Sequence, residues 1–169
     1  MGYGGSNPSL RTMTEVKSTV QFRLLDTYLA VIHNSVGTHT FRNLYATVNG
    51  LKTDITKNGE LSCSFFASWV LAASGLIKNP HATVESTVTD LQTSGWQELP
   101  LEKEPPVGAV LVWAKKDFGT SGIHAHIGFY VGNGKAISND EKAGSPQEHA
   151  WQPVERKIEK IFWHPKLAN

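Results

Sequence analysis

The chain has 169 residues, 40% of them hydrophobic, and 16 basic against 15 acidic side chains leave a formal net charge of +1. That length is enough for one sizeable core, and charges of both signs are interspersed, so no basic block is present to neutralise a phosphate backbone and no nucleic-acid partner is expected. A single cysteine excludes an internal disulfide, and the longest apolar run, Phe65 to Ile77, is too short to cross a bilayer, so no integral membrane association is expected.

Residues 1–15 are polar and Gly-rich and read as a loose N-terminal arm, with residues 16–169 as one domain. The first residues lack the charged start and apolar run of a signal peptide. The expectation is a cytoplasmic protein, or one exported by a route or leader not visible in the chain. From Glu15 to about His33, Val20, Leu24, Leu25, Tyr28 and Val31/Ile32 recur at helical spacing and predict an amphipathic helix. Asn34 to Gly59 is punctuated by glycines and reads as loops, with a short helix near Phe41 to Val48. Ser62 is then a good N-cap for a helix running to about Ser74, with Gly75 as its left-handed stop. A further helix near Ala82 to Ser94 carries Val84, Val88 and Leu91 on one face.

After Gly95 the pattern changes. The segments VGAVLVWAKK, HAHIGFYVGN, GKAISND and RKIEKIFWHP are short β-branched and aromatic runs divided by turn signals. Asn133-Gly134 is a preferred two-residue hairpin turn. It pairs Gly132 with Lys135 and sets His126 opposite about Glu141, with a bulge shifting this by one or two residues. Residues 141–153 are longer than a hairpin needs and read as a surface loop, the alternative being a segment that borders the cleft with His149 and Trp151. Trp69, Trp96 and Trp113 are expected in the core. Helices first and antiparallel strands afterwards make an α+β domain.

Cys63 follows the predicted N-cap, where unpaired backbone N–H groups and the helix dipole favour thiolate and can stabilise an oxyanion. The competing reading is a small apolar filler in a buried helix. A catalytic thiol needs a base, and the base needs an orienting group. His124 and His126 share one face at the start of a strand, and the returning strand brings Ser138, Asn139 and Asp140 beside them. Zinc is the other use of an H-x-H pair, with Asp140 or His149 as further ligands. No second clean ligand pair appears, and no metal is assigned.

GELSCSFFASWVLAASGLI, PPVGAVLVW and HAHIGFYVGNGKAISN, in that order, resemble the papain-fold cell-wall cysteine peptidases and amidases of the NlpC-type and CHAP groups. The resemblance covers about Asn58 to Asn139. It implies a papain-like core, with N-terminal helices packed on a small antiparallel sheet. It also implies Cys63 as nucleophile and His126 as base, with a third catalytic residue among Ser138, Asn139 and Asp140, of which Asn139 is chosen. Ser62, Ser64, His124 and Asp140 are the candidate substrate contacts. The families usually carry Asp-Cys-Ser-Gly, whereas this chain has Ser62-Cys63-Ser64-Phe65. The activity implied is thiol hydrolysis of an amide bond in peptidoglycan stem peptides, as endopeptidase or amidase, with no cofactor. The partner implied is peptidoglycan or another peptide substrate; an inhibitor protein is left unknown. The alternatives are an intracellular amidase or acyltransferase acting on another substrate, or an inert binding module of the same fold.

Overall fold

A computed structural model describes residues 20–168; the expected N-terminal arm lies outside them. In chain order the elements are α1 (Leu24–Asn34), β1 (Tyr45–Val48), β2 (Leu51–Asp54), α2 (Cys63–Ala73), α3 (Val84–Thr93), β3 (Gln97–Leu99), β4 (Val110–Asp117), β5 (Ile123–Gly132), β6 (Lys135–Asp140), β7 (Ser145–Ala150) and β8 (Ile158–Trp163). Strands β1 and β2 form a separate two-stranded sheet. The other six form an antiparallel sheet in the order β3-β8-β4-β5-β6-β7. The fold class is therefore α+β, as the order of helical and strand patterns predicts.

Alternation along β4, β5 and β6 gives the large sheet two apolar faces. Val110, Val112, Ile127, Phe129 and Ile137 pack against the helices. Leu111, Trp113, Tyr130, Ala136 and Ile161 form a second cluster on the opposite face, joined by Trp151. On the helical side Phe129 meets Tyr28 and Phe66 edge-on, with ring centroids 5.6 and 5.5 Å apart. Those contacts fix α1 and the start of α2 over the middle of β5.

Several expected elements differ. Among the described residues, the first helix begins at Leu24, because Val20 and Phe22, 88% and 90% exposed, find nothing to bury against. The short helix expected near Phe41 to Val48 is replaced by the β1–β2 hairpin, which turns at Asn49 and Gly50, both with positive φ. Residues 145–150, expected within a surface loop, pair with β6 as the edge strand β7. Trp96 and Trp113 are buried as expected, but Trp69 is 46% exposed on the outer side of α2. Thr83 caps α3, its hydroxyl oxygen accepting the Ser86 N–H.

The segment linking α2 to α3 is fastened by one carboxylate. Asp90 accepts hydrogen bonds from the Lys78 and Asn79 backbone N–H groups and the Ser94 hydroxyl, and contacts His81 Nε2 at 2.8 Å. Burial pushes its pKa up, but these hydrogen bonds outweigh it and hold the group at about 2, against an ordinary 3.8. A carboxylate depressed in the folded state stabilises the protein above its unfolded pKa, and that stability is lost as pH falls through the folded value. Asp90→Asn is expected to lower stability by about 2 kcal/mol at pH 7. In urea titrations the gap from wild type should close between pH 4 and pH 2; a gap independent of pH would contradict this.

Candidate active site

The site is built where β5 and β6 part. The Asn133-Gly134 turn pairs Gly132 with Lys135, but a register shift between Tyr130 and Gly132 then sets Gly128 opposite Ser138. Gly128 is required for that closeness, since a Cβ there would lie 2.6 Å from both Ile137 O and Ser138 Cβ. The β5–β6 ladder ends at this pair. The Tyr130 N–H bonds Ala109 O on the β4 side, so alternation directs the Ile127 N–H toward β6. With no further β6 partner, that N–H is directed at the Cys63 sulfur, as is the Ser64 N–H of the helix start. Cys63, first residue of α2, thus sits in the notch between the two strands.

The loop before α2 is pinned by Asn139, whose side-chain amide donates to Gly59 O at 2.7 Å, leaving Oδ1 buried without a partner. Gly59 also lies against Gly144, where a Cβ would come within 2.6 Å of backbone. Asn139 therefore acts on the approach to Cys63. The side chain that meets the His126 imidazole, where Asn139 was expected, is Ser138: His126 Nε2 lies 2.7 Å from Ser138 Oγ. A third residue joins them, His149 on β7, whose Nε2 lies 2.7 Å from the same oxygen. The Trp113 ring packs on both imidazoles, with centroids at 5.3 and 5.6 Å.

Cys63, Ser64, His124, His126 and Asn139 all line one cavity of about 250 Å³. A neighbouring cleft of about 450 Å³ includes His126, Ser138, His149, Lys116 and Arg156. His126, Asn139 and Glu141 line both and form the boundary between them. Burial pushes the Cys63 thiol up; the Ile127 and Ser64 N–H groups and the charge of Arg156 pull it down without winning. The helix-start position thus does not leave a free thiolate at rest, because the sulfur is desolvated. Burial first, then the positive charge of Arg156, with smaller effects from the nearby basic side chains His149 and Lys116, push His126 down to about 3. The resting thiol and imidazole are both neutral.

The other expected site residues are engaged elsewhere. Ser62 is fully buried with its hydroxyl on Arg42 O at 3.4 Å, and it makes no side-chain cap. Ser64 is buried with its hydroxyl 2.7 Å from Thr87 Oγ1. His124 Nε2 bonds Ser121 O, and Asp140 Oδ1 accepts the Lys142 and Ala143 N–H groups of the β6–β7 turn. Among the described residues no group of three or more His, Cys, Asp or Glu is placed to hold a metal ion, and no helix is long and apolar enough to cross a membrane. Arg156 carries no sequence signal, lying in the mixed-charge run Glu155 to Lys160. Its guanidinium is fixed by donating to Ala114 O and His124 O, both at 2.6 Å, and it is the cation that acts on both Cys63 and His126. Compared with known proteins, the chain matches no family model, and no curated protein is significantly similar to it.

Proposed function

We propose that the protein is a thiol hydrolase of papain-like type that cleaves an amide bond, with Cys63 as nucleophile and His126 as general base. The observation that carries this reading is that α2 and β5 bring Cys63 and His126 to one cavity, Cys63 in the notch between β5 and β6 and the imidazole held through Nε2 by Ser138. That bond leaves Nδ1 as the nitrogen for the thiol proton. Ser138, not Asn139, fits the orienting role.

In the acylation step the sulfur attacks the substrate carbonyl carbon while the thiol proton passes to His126. The carbonyl oxygen becomes an oxyanion, for which backbone N–H groups at the start of α2 are the available donors. His126 then returns the proton to the departing amine as the C–N bond breaks. Water, deprotonated by His126, attacks the thioester and releases a carboxylic acid with the restored thiol. Because the resting pair is neutral, proton removal accompanies attack. The guanidinium of Arg156 favours the sulfur anion as it forms.

The resemblance of the cysteine and histidine segments to NlpC-type and CHAP enzymes points to peptidoglycan stem peptides, or their amide link to the sugar, as substrate. The upward shift of the thiol is the one observation favouring the competing reading, an inert module of the same fold. Incubating purified peptidoglycan with the wild-type protein and with Cys63→Ala, then analysing soluble fragments by mass spectrometry, tests the proposal. New fragments from the wild type alone are expected. No fragments from either, with a thiol that reacts no faster than free cysteine, would sink it.

A further inference from the structure

The trio His126–Ser138–His149 carries more information than three contacts, because each hydrogen bond restricts the direction of the next. His149 Nδ1 lies 2.8 Å from Ala150 O. A carbonyl oxygen only accepts, so Nδ1 of His149 bears the hydrogen, and in the neutral ring Nε2 is the acceptor. Ser138 has one hydroxyl hydrogen, which it donates to that Nε2 across 2.7 Å. Its oxygen then accepts from His126, which must carry its hydrogen on Nε2. The lone pair of His126 is therefore on Nδ1.

We infer that His149, acting through Ser138, is a positioning residue that fixes His126 in the tautomer able to take the proton of Cys63. The inference rests on the hydrolase reading for its consequence, though not for its geometry. Two features make the arrangement a held one. The three side chains stand on three adjacent strands, with Ser138 on the middle one. The Trp113 ring, itself anchored by donating from Nε1 to Trp151 O at 3.0 Å, contacts both imidazoles. Charged side chains from β4, β6, the β6–β7 turn, β7 and the segment ahead of β8 line the same cleft. Asp140 and Arg156 spend their hydrogen bonds on backbone groups, Lys116 pairs with Glu141 and Glu148 with Lys135, so the direction of the chain is set from the Ala150 carbonyl.

The test is nitrogen-15 NMR of the full chain labelled at histidine, reading the tautomer of each ring from long-range proton–nitrogen correlations. At neutral pH the wild type should show His126 with its hydrogen on Nε2. In His149→Phe, which keeps a ring against Trp113 but has no acceptor, His126 should become a mixture of tautomers. Alkylation of Cys63 by iodoacetamide should then slow by roughly 10-fold or more, short of the ~10⁴-fold loss known when a triad histidine is held in the wrong tautomer. His149→Gln, whose amide oxygen can accept from Ser138, should restore both readouts; loss of packing alone would not be rescued in this way. Finding the hydrogen on Nδ1 in the wild type overturns the inference. So does finding an unchanged tautomer and alkylation rate in His149→Phe. Failure of the hydrolase reading looks different: His126→Ala would alkylate at the wild-type rate, while the tautomer pattern stood.

Discussion

His126→Ala is expected to lower the rate of amide hydrolysis by about 10²- to 10⁴-fold, the range a general acid–base group contributes. The loss is at the large end because in the proposed mechanism His126 acts twice, taking the thiol proton and then giving one to the amine. It is also large because the other titratable side chains lining the cavity have partners of their own: His124 Nε2 is spent on Ser121 O, and Glu60, Glu85 and Glu141 meet Ser121, Lys115 and Lys116. The Cys63 thiol is pushed up by burial, so without a base the reactive anion is scarce at neutral pH. Single-turnover measurements on the fragmenting substrate would read the effect, and substrate affinity should change far less than the rate. A variant within about threefold of wild type in rate would contradict the assignment of His126.

Phe129→Ala is expected to destabilise the fold by about 3–5 kcal/mol, the usual cost of emptying a buried phenylalanine site. Phe129 is fully buried and contacts Tyr28 from α1 and Phe66 from α2 edge-on. Phe66 is three residues after Cys63, and Phe129 is three residues after His126. The ring pair therefore registers the helix that bears Cys63 against the strand that bears His126. Loss of the ring should cost activity as well as stability, since a small misplacement of reacting groups is expensive. Urea unfolding followed by tryptophan fluorescence measures the stability change; a loss under about 1 kcal/mol would contradict this account of the core.

Much of the scaffold is legible in the chain. The apolar run after Cys63, ended by Gly75, gives α2 because few other arrangements bury so many adjacent apolar residues. The Asn133-Gly134 turn gives the β5–β6 hairpin and its first pair correctly. The elements that escape are those held by backbone bonds rather than by burial. Strands β1 and β2 are largely exposed and have little hydrophobic alternation to read. Their Asn49-Gly50 turn was the available signal. Strand β7 begins Ser145-Pro146, a sequence tolerated at a sheet edge and otherwise typical of loops.

The site shows the same division. The Cys63 and His126 positions follow from helix and strand starts. The residue beside the imidazole does not, because a one-residue register shift exchanges the faces of a strand. Without the irregularity between Tyr130 and Gly132, Gly128 would face Asn139, and Asn139 would stand beside the imidazole. With it, Ser138 does. His149 and Arg156 depend on β7 and on the segment leading into β8, where sequence alone offers only polar residues.

The central claim is that Cys63 and His126 act as one unit, and the rate at which Cys63 alone is alkylated tests it without knowledge of the substrate. Wild type and His126→Ala would be treated with iodoacetamide at neutral pH and the modified fraction followed by mass spectrometry. The account predicts fast labelling of the wild type and labelling at least about tenfold slower in His126→Ala. Equal rates in the two proteins would contradict it.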